Sequence, residues 1–235
     1  MPRSARIILP NTPHHIVQRG HNRQTVFVSD DDYNYYRVNL VDFKNEFQCK
    51  IYAYCLMTNH IHLVVDPGDK PESLSMLMKR VAGRQTRYVN RLEKRSGSLW
   101  EGRFKSSIVS TIDYLPACCR YIELNPLRAG MVTDPLEYKW SSYGCKTTSR
   151  NDPVVDYHPT YLALGSNKKE RREMYAEYVL DTIPDYEIKL IKEALQRGQL
   201  TGGERFREEI ARRTGIRFSS RGPGRPRTRE TEWFS

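Results

Sequence analysis

The residues in this sequence best suited to joint chemistry are His60, His62, Tyr121 and Asn125. His60-Ile61-His62 opens a strongly β-forming run, Ile61-His62-Leu63-Val64-Val65. Side chains alternate faces along a strand, so the two histidines share one face and Ile61 takes the other. Same-face neighbours stand about 6.5–7 Å apart at the backbone, close enough for two imidazoles to lean onto one metal ion. By itself the pattern is also what two polar residues on a solvated strand face would give. Tyr121 and Asn125 are four residues apart, hence on one face of a helix, one turn apart. A tyrosine phenol is an oxygen nucleophile that can attack phosphorus and form a phosphotyrosine link. A divalent ion held by two imidazoles and one amide oxygen would act as a Lewis acid on that phosphate, with Mg²⁺ or Mn²⁺ the candidates. The plainer readings are a half-buried core tyrosine, one of fifteen, and an asparagine at a helix end before Pro126.

The elements that must position these residues follow from hydrophobic spacing. His14 to Arg19 reads as a first strand, followed by the polar loop Gly20-His21-Asn22-Arg23-Gln24. Tyr33, Tyr36, Leu40, Phe43 and Phe47 step by three and four, which predicts a helix over 30–47 capped by Ser29 or Asp30. Residues 50–57 alternate as a second strand, Thr58-Asn59 makes a tight turn, and 60–65 returns antiparallel. A long helix is expected over 71–95, a strand over 104–110, and a helix over 113–125 that Pro126 ends. His14 and His15, on the first strand, are placed to neighbour the site, and neither is taken as a ligand. The histidine pair is expected to be partly exposed. From about residue 147 the composition shifts to helical patterns at 158–180, 186–197 and 203–213, the last two forming a helix-turn-helix candidate.

Charge points to a polyanionic partner. The chain of 235 residues carries 38 Lys and Arg against 28 Asp and Glu, for a net charge of +10 and a pI of about 9.4. Nucleic acid fits better than a membrane, because no apolar run approaches the ~20 residues of a spanning helix. The start, Met1-Pro2-Arg3-Ser4-Ala5-Arg6, lacks the apolar stretch of a signal peptide. Five cysteines without C-x-x-C spacing read as reduced thiols. Together these point to a cytoplasmic, nucleoid-associated protein. Arg80, Arg84, Arg87 and Arg91 form one basic stripe along the long helix, suited to phosphate contact or to a plain solvated face. Arg19, Asn22 and Arg23 lie where they could reach a nucleic acid strand. In the tail, Pro223-Gly224-Arg225-Pro226-Arg227 resembles the Gly-Arg-Pro core of AT-hook segments, with Arg225 and Arg227 directed at a minor groove. A flexible basic tail making nonspecific phosphate contacts is the alternative.

Four ordered motifs carry a further resemblance. Met57-Thr58-Asn59-His60-Ile61-His62, Leu99-Trp100 through Arg103-Phe104, Tyr121 to Gly130, and Trp140-Ser141-Ser142-Tyr143 resemble the single-tyrosine HUH transposases, with REP-associated tyrosine transposases the nearest branch. The resemblance covers about residues 1–145 and implies an α+β fold, an antiparallel ferredoxin-like sheet with packed helices. A helical accessory DNA-binding region over 146–216 and a basic, disordered tail over 217–235 would complete the chain. It further implies that His60 and His62 are the metal pair, Tyr121 is the nucleophile, Asn125 is the third polar ligand where many relatives carry Gln, and Arg103 joins the DNA-contacting residues. The implied reaction cuts single-stranded DNA beside palindromic hairpins through a 5′-phosphotyrosine, by a monomer or a homodimer. A noncatalytic hairpin-binding protein on the same scaffold is the alternative. A hydrolytic metallonuclease would require an acidic cluster that these motifs lack.

Overall fold

The structure, a computed structural model, describes residues 6–111 and 114–216. Strand β1 (His14–Arg19) leads through a short turn to helix α1 (Asp30–Glu46). The hairpin β2 (Lys50–Met57) and β3 (His60–Asp66) follows, then helix α2 (Glu72–Leu92) and strand β4 (Lys105–Val109). This β-α-β-β-α-β order is the ferredoxin-like plan. The strands lie in the order β2-β3-β1-β4, with all three of these neighbouring pairs antiparallel.

Local chemistry explains the element ends. Asp32 accepts backbone N–H bonds from Val28 (2.6 Å) and Ser29 (2.9 Å), which fixes the first turn of α1. Thr58-Asn59 closes the hairpin as expected, and Met57 pairs with His60 across it. Strand β2 carries an irregularity between Ile51 and Ala53, which lets Tyr52 step out of the pairing. The apolar stripe of α1, Tyr33, Tyr36, Leu40 and Phe43, and that of α2, Leu74, Leu77, Met78 and Val81, are buried in one core with Ile61. Helix α1 packs on α2, and its Arg37 meets Asp152, which also accepts from the Tyr54 hydroxyl. Tyr54 and Cys55 point to opposite faces, so α1 and α2 cover the face of the sheet away from Cys55 and its partner His62.

On the other face lie α3 (Leu115–Glu123), α4 (Asn125–Arg128) and α8 (Asp185–Arg197). The expected single helix ending before Pro126 is instead two helices broken at Leu124. Pro126 sits in the first turn of α4, where its missing N–H costs nothing. Asp113, expected to start the helix, lies outside the described residues. Helices α5 (Tyr143–Thr147), α6 (Pro159–Leu162) and α7 (Lys168–Leu180) pack beside α3. The helix expected over 158–180 is broken at 163–167, and Asn167 caps α7 by accepting from the N–H groups of Lys169 and Glu170.

The helix-turn-helix expectation is corrected. Between α8 and α9 (Glu204–Thr214), Leu200–Thr201 forms strand β5, paired parallel to β4. The link spends its backbone hydrogen bonds on the sheet and becomes its fifth strand. Helix α8 contacts α3, β1 and β4, so its apolar face belongs to the main core through Ile191. Among the described residues no helix is long and apolar enough to cross a membrane. The tail from 217 onward, with Arg225 and Arg227, lies outside the described residues.

Candidate active site

Strand alternation brings His60 and His62 to one face, with ring centroids 5.0 Å apart and planes at 75°. Helix α3 crosses β2 and β3 on that face and carries Tyr121. The Tyr121 ring centroid lies 6.1 Å from that of His62, within the same chain. A third histidine joins them. His15 pairs with Val64 in register, which makes it a diagonal neighbour of His62 on the same face. Its Nε2 shares a hydrogen bond with His62 Nδ1 at 3.0 Å, and its ring centroid is 5.9 Å from that of Tyr121. His14, one residue away, points elsewhere and bonds Thr12 and Leu9.

The pair is less exposed than expected. His60 is half-buried, whereas His62 is fully buried because α3 lies over it. Both are held by their Nδ1 atoms: His60 donates from Nδ1 to Asn59 Oδ1 at 2.6 Å, and His62 uses Nδ1 toward His15. Burial pushes the imidazoles down, His60 to about 4 with help from the Arg19 charge, and His15 to about 3 with help from Arg128. His62 falls well below its usual value through burial and the nearby His60, His15 and Arg128. At neutral pH all three are therefore uncharged, the form that can donate a lone pair.

This has a consequence for stability with a definite sign. Folded-state values below the unfolded value mean that the unfolded chain binds protons first as pH falls. The stabilisation is complete above pH 6.5 and drains away toward pH 4, at up to ~1.4 kcal/mol per pH unit for each histidine. Urea unfolding midpoints should fall steadily over that window. A flat profile between pH 6.5 and 4 would contradict the buried, neutral assignment.

Tyr121 is 1% exposed. The Arg128 guanidinium stacks on its ring, 4.1 Å from the centroid, and Arg128 Nη2 donates to the Tyr121 carbonyl oxygen at 2.6 Å. Burial raises the phenol above its usual range, while the Arg128 charge pulls it back down. Asn125 donates from Nδ2 to the carbonyls of Tyr121 and Ile122, both at 3.2 Å, and its Oδ1 accepts from Arg128 at 3.2 Å. The amide thus braces the break between α3 and α4, with its oxygen turned to Arg128. A cavity of about 480 Å³ opens here, with His60, Tyr121, Asn125, Arg128 and Lys192 in its wall.

The other candidate DNA contacts divide into two groups. Arg19 pairs with His60 across β1 and β3, and the following turn holds Asn22 and Arg23 with left-handed backbone, φ 48° and 58°. Asn59 Nδ2 donates to the Arg23 carbonyl at 3.4 Å, so this turn borders the site. Gly20 is required there, since a Cβ would come within 2.3 Å of the Gln24 carbonyl oxygen. Arg103 is exposed on the loop before β4, whose Glu101 N–H donates to the Arg19 carbonyl. By contrast, Arg80, Arg84, Arg87 and Arg91 are exposed on α2, across the sheet from the tyrosine and histidines. Arg80 faces Glu46 at 3.9 Å, and Arg80 and Arg84 lie over the Phe43 ring.

Two residues of the cluster, Arg128 and Lys192, escaped the sequence reading, while His15 was expected beside the site and His14 turns out to point elsewhere. Arg128 was visible only as part of the Asn125-Pro126-Leu127-Arg128 motif, and its seven-residue spacing from Tyr121 is the signal that pointed to a shared face. His15 had a signal in its alternation with Val17, the cross-strand partner of His62. Lys192 had none, because nothing in a helix pattern tells which cavity a lysine on α8 will line.

The structure is an α+β fold in which a tyrosine-bearing helix crosses two same-face histidines on a ferredoxin-like sheet. The family described as "Transposase IS200 like" matches residues 9–125, about half of the chain and the part that includes both histidines, Tyr121 and Asn125. The chain belongs to this family of DNA-processing enzymes. The fold is similar to that of a REP-associated tyrosine transposase bound to a REP hairpin, with a TM-score of 0.56 at 16% identity, covering 67% of this chain and 92% of that one. A candidate transposase from Deinococcus radiodurans R1 matches with a TM-score of 0.35 at 18% identity, over 55% of this chain and 92% of that one. A search of curated proteins returns no significant match.

Proposed function

We propose that the chain is a metal-dependent, single-strand-specific DNA endonuclease and strand transferase that cuts beside palindromic hairpins through a 5′-phosphotyrosine. The observation that carries this is the meeting of Tyr121 with His60 and His62 in one chain, with Arg128 stacked on the tyrosine. Support for the substrate comes from the net charge of +10, from the family, and from a structural relative described as bound to a REP hairpin.

The residues fit a divalent ion. Their Nδ1 atoms are committed to Asn59 and His15, which orients the rings; an ion would then be coordinated through Nε2. Among the described residues no group of three His, Cys, Asp or Glu side chains forms a metal set, so a third protein ligand would be an amide oxygen; Asn125 Oδ1 is the candidate, and to serve it would turn from the Arg128 guanidinium that now donates to it. Two imidazoles and an amide suit Mn²⁺ better than Mg²⁺, which prefers an all-oxygen shell. When bound, the ion would polarise the scissile phosphate and offset its charge.

The chain's own residues carry the remaining chemistry. Tyr121 Oη forms the bond to phosphorus and the P–O3′ bond breaks, leaving a free 3′-hydroxyl once that oxygen gains a proton. The phenol gives up its own proton, which the Arg128 charge makes easier and burial makes harder. Because one phosphate ester replaces another, a 3′-hydroxyl can later attack the phosphotyrosine and rejoin DNA without ATP. Incubating the chain with flanked hairpin DNA and Mn²⁺ should give a protein–DNA band on a denaturing gel, with the nucleotide mapped to Tyr121 by mass spectrometry. Cut DNA without any adduct would overturn the covalent route in favour of hydrolysis, and binding without cutting would favour a noncatalytic hairpin binder.

A further inference from the structure

We propose that Arg120 and Glu187 are positioning residues that set the roll of the tyrosine helix, and with it the aim of the Tyr121 phenol at the histidine pair. The proposal deepens the reading above, on which it rests for the reaction it affects. Glu187 lies on α8, outside residues 9–125, so a residue beyond the family match governs the placement of the nucleophile.

Arg120 directly precedes Tyr121 on α3, and consecutive helical residues point about 100° apart. Tyr121 turns to the histidines, while Arg120 turns into the junction with α7 and α8. There its side chain is 4% exposed. Its Nη2 donates to Glu187 Oε2 at 2.7 Å and its Nη1 to the Tyr178 carbonyl oxygen at 3.3 Å, and the guanidinium lies over the Tyr178 ring, 4.5 Å from the centroid. A planar donor group held at several points fixes direction as well as distance. Glu187 is itself held, because α8 packs on β1 and β4 and sends Ile191 into the main core. Strand β1 pairs with β3, which carries the histidines. The sheet, α8, Arg120 and α3 thus form a closed bracket around the site.

Roll matters because α3 has only nine residues. Its apolar side chains press on the sheet through contacts with little directional preference. The phenol oxygen stands roughly 8–9 Å from the helix axis, so a roll of about 10° would swing it by about 1.5 Å. A misplacement of about 1 Å at a reacting atom is enough to cost about 10²-fold in rate. The Arg120 bonds point away from the sheet and oppose that roll.

The test separates aiming the phenol from holding the fold. The variants are Glu187→Gln, which removes the charge of the less buried partner, and the double variant Arg120→Met, Glu187→Leu, which makes the pair apolar. Lys189→Met, an exposed position on α8, is the control. Replacing a buried ion pair by packed apolar groups is often neutral for stability, so a purely structural role would survive in the double variant. The intact chains are compared by melting temperature, by affinity for flanked hairpin DNA without divalent ion, and by the single-turnover rate of adduct formation at saturating DNA with Mn²⁺. Amide hydrogen exchange of α3 is followed without DNA. Both Glu187 variants should bind hairpin DNA within about two-fold of the parent yet form the adduct roughly 10–100-fold more slowly. In Glu187→Gln, α3 should exchange about ten-fold faster while β2 and β3 keep the parent rate. The double variant should melt within about 4 °C of the parent, and Lys189→Met should match the parent in every measurement. A parent adduct rate in the double variant would make the pair purely structural and overturn the proposal. So would an affinity loss equal to the rate loss, or unchanged α3 exchange in Glu187→Gln, which decides alone if the double variant does not fold. These failures leave the phosphotyrosine reading standing, because the parent's adduct is scored separately. No adduct from the parent overturns that reading, and the α3 exchange still decides whether the pair holds the helix.

Discussion

Tyr121→Phe is expected to abolish the covalent adduct and lower strand cleavage by roughly 10³-fold or more, while hairpin affinity stays within about two-fold. The change removes one oxygen and leaves the ring, which keeps its place beneath Arg128 and beside His62. The ring contacts of Tyr121 with His62 and Arg128 and the bond from Arg128 to its backbone carbonyl all survive the substitution, as do the other buried residues of α3. A binding titration and a thermal melt run beside the cleavage assay separate lost chemistry from lost structure. Cleavage at the parent rate would remove Tyr121 from the mechanism.

The largest effect on stability should come from Lys146→Met. Glu123, fully buried two residues beyond Tyr121, accepts from Ser142 Oγ at 2.5 Å and Tyr175 Oη at 2.6 Å, and pairs with Lys146 Nζ at 2.9 Å. Removing the lysine leaves a buried carboxylate without its counter-charge, at a cost of about 3–5 kcal/mol. At roughly 2–4 °C per kcal/mol for a chain of this size, the melting temperature should drop by about 10 °C. The double variant Lys146→Met, Glu123→Gln removes both charges and should recover part of the loss. Equal melting of the single variant and the parent would show that the pair contributes nothing. Because Glu123 anchors the helix that carries the nucleophile, cleavage should suffer in the single variant and return in part with the double.

Much of the catalytic half was legible in the sequence because it rests on short-range rules. Alternation placed His60 and His62 on one face, a four-residue spacing placed Tyr121 and Asn125 near one another, and both hold in the structure. What was not legible depends on contacts distant in sequence. The burial of His62 is set by α3 crossing above it, and that packing has no local signature. The strand at Leu200–Thr201 is only two residues long and exists because β4 offers an open edge, so periodicity over residues 186–213 shows helices and a turn. The break at Leu124 is likewise a compromise. Pro126 rules out an unbroken helix, yet its ring is well accommodated one position inside a new one.

The outer edge of β2 has a role in how copies of this chain can meet. An uncovered strand edge is a template for pairing with another molecule. Here the chain's own later segments occupy it. Leu56 N–H donates to the Trp140 carbonyl, Ser142 N–H to the Tyr54 carbonyl, and Ile51 exchanges bonds with Asp156 through both its N–H and its carbonyl. At the opposite side of the sheet, β5 takes up the end of β4. A second copy could extend this sheet at β2 only by displacing residues 140–142 and 156, each tied into the core by several bonds. Assembly through a continuous intermolecular sheet at that edge is therefore disfavoured by construction.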